Sequence, residues 1–203
     1  MRQPSRHLCA ALLLACLSTA TAFAQSTQLV PWSETRPIEW ADFQGTPPPD
    51  AASLNEAAAI HMTIKWHAQF SIQPEALGSH AWLAAVDRVV VSNQVNPRFS
   101  WALPSQTTPD VLRHEQFHFN LNEIYRRKLQ EELHTLSTRG RSADETMDSL
   151  DAQIQAHAQA ILDRLSEMQS RYDDETKHGI DAEAQSRWMS TIDAWLADPG
   201  LAP

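Results

Sequence analysis

Residues 108–118, Thr-Pro-Asp-Val-Leu-Arg-His-Glu-Gln-Phe-His, open the segment that decides the fold of this chain. Thr108 can cap a helix with its hydroxyl, and Pro109 suits the first helical position. Asp110 adds a negative charge beside the positive end of the helix dipole. Because apolar residues then recur every three or four positions, the pattern predicts a helix from 108 to about 136.

A second helix is predicted after a short turn at Arg139-Gly140-Arg141. Ser142 and Glu145 have the spacing of a capping box, and apolar residues at helical spacing continue to Tyr172. So short a connection predicts that the two helices pack antiparallel. A third, shorter helix is predicted from about 181 to 196.

The region before the first helix is predicted to form strands. Residues 60–67 alternate apolar and polar side chains, and β-branched or aromatic runs follow at 88–92 and 98–101. The segment from 74 to 82 fits either a loop or a short helix. A β-rich half followed by an α-rich half predicts an α+β domain. It would have a small N-terminal antiparallel β-sheet, an antiparallel helix pair and a short C-terminal helix.

Residues 25–50 are rich in proline but also contain tryptophan, isoleucine and phenylalanine. Apolar anchors among prolines are typical of an ordered arm rather than a free linker. We therefore expect residues 25–50 to pack on a single domain formed by residues 51–203.

The first 24 residues have the order of a secretory signal peptide. A basic start precedes an apolar run at residues 8–17, and Ala22-Phe23-Ala24 supplies a small-x-small cleavage site. The apolar run is too short to cross a bilayer. We expect a periplasmic or secreted protein whose mature form has no transmembrane span.

The cysteines and the charge restrict the class of protein further. Cys9 and Cys16 both lie in the predicted signal peptide, so the mature chain would contain no disulfide. The alternative is a lipoprotein, because Leu13-Leu14-Ala15-Cys16 resembles a lipobox that would carry a lipid anchor at Cys16. A net charge of −9 argues against a nucleic-acid partner, since phosphate contacts need a basic face.

The motif His-Glu-x-x-His at residues 114–118 carries the chemistry. Histidines four apart on a helix project from one side, so the imidazoles of His114 and His118 can bind one metal ion. Glu115 is turned by about 100° from His114 around the helix, beside the ligands. Zinc lowers the pKa of a bound water from about 15.7 to near 7, and Glu115 can accept its proton as general base. The motif is the signature of zinc metallopeptidases.

A catalytic zinc site needs a third protein ligand. Residues 119–124 contain no glycine or histidine, which argues against the metzincin extension of the motif. The end of an antiparallel second helix would return past the motif. Residues 172–179, Tyr-Asp-Asp-Glu-Thr-Lys-His-Gly, lie in that region. They form the densest cluster of ligand-type side chains in the chain.

Three separated motifs resemble a family of uncharacterised bacterial proteins, the domain of unknown function 922 family, described as predicted secreted zinc-dependent proteases. They are Ile-Glu-Trp-Ala-Asp-Phe-Gln-Gly at 38–45, Leu-Arg-His-Glu-Gln-Phe-His-Phe-Asn at 112–120, and Tyr-Asp-x-x-Thr-x-His-Gly at 172–179, together with Gln185 and Trp188. The resemblance implies a zincin-like peptidase and covers almost the whole predicted mature chain.

The resemblance also implies a ligand set. It favours His178 as the third zinc ligand, completing a site with His114 and His118. Glu175 and Asp174 are the alternatives, either of which would give two histidines and one carboxylate.

Two neighbouring residues have open roles. Tyr172 is a candidate catalytic residue that would donate a hydrogen bond to the oxyanion, or else the last apolar position of its helix. Asp173 is a candidate to orient a ligating imidazole, or else a solvated acid at the helix end.

We therefore expect a secreted or periplasmic zinc metallopeptidase that acts on a peptide or protein. One alternative is a zinc amidase or other non-peptidase hydrolase of the cell envelope. Another is a non-catalytic envelope binding protein with a vestigial site. The intact Glu115 argues against the last alternative, because a structural zinc site does not need it.

Overall fold

The structure, a computed structural model, describes residues 28–54, 56–76, 78 and 80–203. The protein is a mixed α/β structure with antiparallel sheets and three α-helices in the described residues. The predicted α+β class is confirmed at this level. The predicted signal peptide, with Cys9 and Cys16, lies outside the described residues.

Two antiparallel sheets precede or flank the helices. In the main sheet, β4 pairs with β3 along one side and with β1 and β6 near the two ends of its other side. In the smaller sheet, β2 pairs with β5. The strands are β1 (Val30–Pro31), β2 (Ala58–Ala59), β3 (Met62–Pro74), β4 (Trp82–Val95), β5 (Trp101–Ala102) and β6 (Ser137–Gly140).

The β3–β4 hairpin is longer than the alternation of residues 60–67 predicted. It continues through a bulge between Gln69 and Phe70, which shifts the register of the pairing. The described residues between β3 and β4 form a turn in which Glu75 N–H donates to the carbonyl of Ala81 at 2.8 Å. The described residues of the undecided segment thus form a loop rather than a helix. The aromatic run at 98–101 is not a strand of the main sheet, because only Trp101 pairs, with β2.

The helices follow the capping signals closely. They are α1 (Pro109–His134), α2 (Ala143–Thr176) and α3 (Ala182–Ala197). Thr108, Ser142 and Asp181 each accept a backbone N–H from the first turn of the helix that follows. No helix in the described residues is long and apolar enough to cross a membrane.

Two helix boundaries differ from expectation. Residues 137–140, predicted to be part of a turn after α1, form β6 and pair with the start of β4. Helix α2 continues past Asp173 to Thr176. Asp173 thus lies inside the last turns of α2, where it contacts His114 and His118 of α1.

The hydrophobic core lies between the main sheet and the helices. Val89 and Val91 of β4 belong to one buried cluster that includes apolar residues of all three helices. Helices α1 and α2 are antiparallel, because His114 near the start of α1 contacts Asp173 at the end of α2. Farther along, Glu132 of α1 contacts His157 in the middle of α2.

The described part of the arm packs against the motif helix. Ile38 is buried in a second apolar cluster with Val95 and Phe119. The Trp32 indole donates to Asn120 Oδ1 at 3.0 Å, and the backbone N–H of Ile38 donates to Gln116 Oε1 at 2.8 Å. The arm therefore supports the helix that carries the two histidines.

Candidate metal centre

Two histidines near the start of α1 bring their ring nitrogens together. His114 and His118 are buried, with 3% and 7% of their surfaces exposed. Because they are four residues apart, both side chains leave the helix on the same side. Their Nε2 atoms lie 3.0 Å apart and their ring planes cross at 88°.

Asp173, in the last turns of α2, completes the group. Its Oδ1 lies 3.1 Å from Nε2 of His114 and 2.9 Å from Nε2 of His118. We call His114, His118 and Asp173 the histidine–aspartate cluster. In the part of the chain that the structure describes, no other three His, Cys, Asp or Glu residues bring ligand atoms together in this way.

Glutamine side chains face the other nitrogen of each ring. Gln169 Oε1 lies 2.5 Å from Nδ1 of His118, and Gln185 Oε1 lies 3.0 Å from Nδ1 of His114. In this orientation of the two amides an oxygen faces each Nδ1, so a hydrogen bond there requires the hydrogen on Nδ1. In a neutral imidazole the Nε2 is then a bare acceptor. Both Nε2 atoms thus direct lone pairs toward another acceptor, the carboxylate of Asp173.

Tyr172 lies behind His114 and is completely buried. Its ring stacks on the His114 imidazole, with centroids 4.7 Å apart, and its hydroxyl donates to the His114 carbonyl at 3.4 Å. The same hydroxyl accepts from Gln185 Nε2 at 2.5 Å. Burial raises the pKa of Tyr172, which keeps its hydroxyl protonated.

Glu115 is held beside the cluster from the opposite side. Its carboxylate is buried, with 4% of the residue exposed, and Oε2 accepts the backbone N–H of Ile60 at 3.0 Å. Burial raises its pKa, while the nearby imidazoles of His118 and His114 oppose that rise. Ile60, in the short connection between β2 and β3, thus fixes the position of the carboxylate.

The cluster attracts positive charge. Burial alone would raise the pKa of Asp173, but the imidazoles of His114 and His118 beside it hold that pKa well below its usual range. Burial alone would lower the pKa of His118, yet the neighbouring carboxylates of Asp173 and Glu115 raise it. An ionised carboxylate between two imidazoles is therefore poised to receive a cation.

A cleft of about 260 Å³ opens over the cluster. One wall is the small-residue run of residues 57–59 with Ile60, and the floor is α1. Among the described residues, the lining contains no lysine or arginine. It consists of Glu56, Ala57, Ala58, Ala59, Ile60, Met62, Val111, His114, Glu115, His118, Gln169, Asp173 and His178.

The structure places the three predicted third ligands differently from one another. His178 lines the cleft, and its Nδ1 lies 3.4 Å from Asp173 Oδ1, but 40% of its side chain is exposed. Glu175 instead accepts hydrogen bonds from Arg171 and from the Trp188 indole. Asp174 is exposed on the outer side of α2. None of the three joins the two histidines as Asp173 does.

Asp173 was expected at most to orient an imidazole, whereas its carboxylate contacts both histidines. Tyr172, the candidate for the oxyanion, is not among the residues that line the cleft. The Tyr172 hydroxyl is used behind His114, which fits the simpler expectation of a buried residue near the helix end. One signal for Asp173 was present in the sequence. It follows Gln169 by four residues, so the two side chains share one side of α2.

Gly179 lies against His114 and gives a first test of the cluster. Its φ is +82°, and a β-carbon there would lie 3.1 Å from Cβ and Cγ of the His114 side chain. We expect Gly179→Ala to lower the free energy of unfolding by about 1–2 kcal/mol, the cost of a left-handed alanine. We also expect weaker zinc binding, because His114 must move.

Gly78 is the matched control for this substitution. Its φ is +79°, but outside its two chain neighbours no atom of the described residues lies within 4 Å of a β-carbon placed there. Gly78→Ala should therefore lower the free energy of unfolding, measured in urea, through the same backbone cost. It should leave the zinc affinity, measured by titration, unchanged. Equal zinc affinities for the two variants would show that the contact with His114 does not matter.

Comparisons with known proteins identify a family but no characterised relative. The sequence model of a family described as "Bacterial protein of unknown function (DUF922)" matches residues 39–179, which include the motif, Asp173 and His178. No curated protein and no solved structure matches the chain.

Proposed function

The chain belongs to the DUF922 family of bacterial proteins of unknown function, and we propose that it is a zinc-dependent metallopeptidase of zincin-like type. One observation carries the proposal. The Nε2 atoms of His114 and His118 and Oδ1 of Asp173 lie 2.9–3.1 Å from one another beside a buried glutamate. The proposed substrate is a peptide or protein.

The donor set fits a metal ion. Three acceptor atoms in contact repel one another unless a proton or a cation lies among them, and both Nδ1 hydrogens are already used. Ligand atoms about 2.0–2.1 Å from a tetrahedral zinc ion lie about 3.3 Å apart, close to the spacing here. Two imidazoles with one carboxylate are a ligand set of catalytic zinc.

Zinc held there would acidify a bound water and polarise a carbonyl group. Among the chain's own residues, we assign the proton transfer to Glu115. Its raised pKa brings it nearer to the operating range of a general base, and the Ile60 N–H keeps it in position. The carboxylate would accept the proton of the attacking water and pass it to the leaving amine.

The lining of the cleft favours cleavage inside a polypeptide chain over removal of its C-terminal residue. A carboxypeptidase needs a cationic group to bind the free carboxylate of its substrate. No lysine or arginine of the part of the chain that the structure describes lines this cleft, whereas Glu56 does. We therefore propose that the protein cleaves bonds inside a polypeptide chain rather than at its end. From the pattern of residues 1–24 we also propose that it acts outside the cytoplasm.

Metal content and hydrolysis test the proposal together. The purified protein should bind about one zinc ion per chain and cleave an unstructured protein such as casein, and a chelator should remove both properties. Zinc binding with hydrolysis of amides but not of peptide bonds would favour an envelope amidase. Failure to take up zinc would disprove the proposal.

A further inference from the structure

We propose that Gln169 and Gln185 are positioning residues that lock the two cluster histidines in the tautomer that binds metal. Each glutamine accepts the Nδ1 hydrogen of one ring and so leaves its Nε2 free for the ion. The inference rests on the proposed function for its metal. The two glutamines come from different helices, α2 and α3.

Gln169 contacts His118 at two points. Its Oε1 lies 2.5 Å from Nδ1 of the ring, and its Nε2 donates to the backbone carbonyl of the same residue at 3.0 Å. Since a carbonyl can only accept, the amide cannot be reversed without losing this bond. The Nδ1 of His118 therefore faces an acceptor in the one orientation that satisfies the amide.

A buried chain of amides supports the same orientation. Gln169 Nε2 also lies 3.4 Å from Asn122 Oδ1, and Asn122 Nδ2 donates to Asn93 Oδ1 at 3.0 Å. Asn93 Nδ2 in turn donates to the Phe119 carbonyl at 3.5 Å. The direction of each bond is thus set from a backbone carbonyl at the far end.

Gln185 holds His114 through a closed ring of hydrogen bonds. The Tyr172 hydroxyl donates to the His114 carbonyl, Gln185 Nε2 donates to that hydroxyl, and Gln185 Oε1 accepts from Nδ1 of His114. The ring begins and ends on one residue. This ring of hydrogen bonds accounts for the buried contact between the Tyr172 hydroxyl and the Gln185 amide behind the cluster.

The lock matters because a neutral imidazole carries only one hydrogen. Without an acceptor at Nδ1, the hydrogen also occupies Nε2, where it blocks the nitrogen that faces Asp173. Partners of this kind that orient a ligating histidine typically change metal affinity by about 10–100-fold when removed. An amide partner adds no charge to the cluster, unlike the carboxylate that often fills this role.

The experiment compares leucine and glutamate at both positions. Leucine removes the acceptor, so Gln169→Leu and Gln185→Leu should each lower zinc affinity by about 10–100-fold in a chelator competition. Gln169→Glu and Gln185→Glu keep an acceptor at Nδ1 and should stay within a few-fold of the unmodified protein. Gln159→Leu is the control, since Gln159 is an exposed residue of α2 that contacts Asp163.

A second readout reports the hydrogen positions directly. Long-range proton–nitrogen NMR of histidine-labelled, metal-free protein, recorded at a pH high enough that both rings are neutral, should show hydrogen on Nδ1 of His114 and of His118. In Gln169→Leu the His118 ring alone should move toward the Nε2–H form. In Gln185→Leu the His114 ring alone should do so, which a general loss of packing would not produce.

Three results would overturn the lock. They are Nε2–H rings in the unmodified protein, leucine variants with the affinity of the Gln159→Leu control, or folded glutamate variants as weak as the leucine variants. If a leucine variant fails to fold by circular dichroism, its glutamate counterpart decides the question. Peptide hydrolysis enters none of these measurements, so failure of the proposed activity remains distinguishable from failure of the lock.

Discussion

Replacing Asp173 with alanine is expected to lower zinc affinity by more than about 100-fold, beyond the usual effect of removing a residue that only orients a ligand. Asp173 supplies the only carboxylate oxygen within 3.1 Å of both Nε2 atoms in the described residues. Its loss leaves two imidazoles, which are too few protein ligands for a catalytic zinc site. Calorimetric titration of the metal-free protein measures the change.

Asp174→Ala is the matched control, because the neighbouring carboxylate is exposed and lies outside the cluster. It should retain the affinity of the unmodified protein. His178→Ala separates the two ligand assignments, since the family resemblance favoured that residue. We expect it to lower zinc affinity by less than Asp173→Ala. The reverse order would return the third-ligand role to His178.

The second large effect is expected for Glu115→Gln. The amide removes the proton acceptor but keeps the size of the side chain, and its oxygen can still accept the Ile60 N–H. We expect zinc content to remain at the level of the unmodified protein while kcat falls by about 10²–10⁴-fold, the usual contribution of a general base. Steady-state hydrolysis and metal analysis of the same sample provide the test.

Glu123→Gln is the matched control for that substitution. Glu123 is also a buried glutamate of α1, but it accepts hydrogen bonds from Arg126 and Arg127 rather than lining the cleft. Its replacement should cost stability without a comparable loss of kcat per zinc bound. Full activity in Glu115→Gln would remove the general base from the mechanism.

Much of the helical half could be predicted because its signals are local. The caps at Thr108 and Ser142 and the helical spacing of apolar residues act within a few positions of the chain. Strand β6 could not be predicted, since its four residues carry no pattern of their own and pair with β4 through long-range contacts. The length of the β3–β4 hairpin likewise depends on pairing rather than on alternation alone.

The amino-acid sequence by itself determined that His114 and His118 share one side of a helix with Glu115 beside them, because helical geometry fixes neighbours four residues apart. It also predicted that a third ligand would come from the end of the second helix. Only the tertiary structure decided that Asp173 faces the histidines while Tyr172 lies behind His114 and Asp174 faces outward. Successive residues on a helix point about 100° apart, so the choice among them depends on the rotation of α2 against α1. Packing between the two helices sets that rotation, and no local pattern reports it.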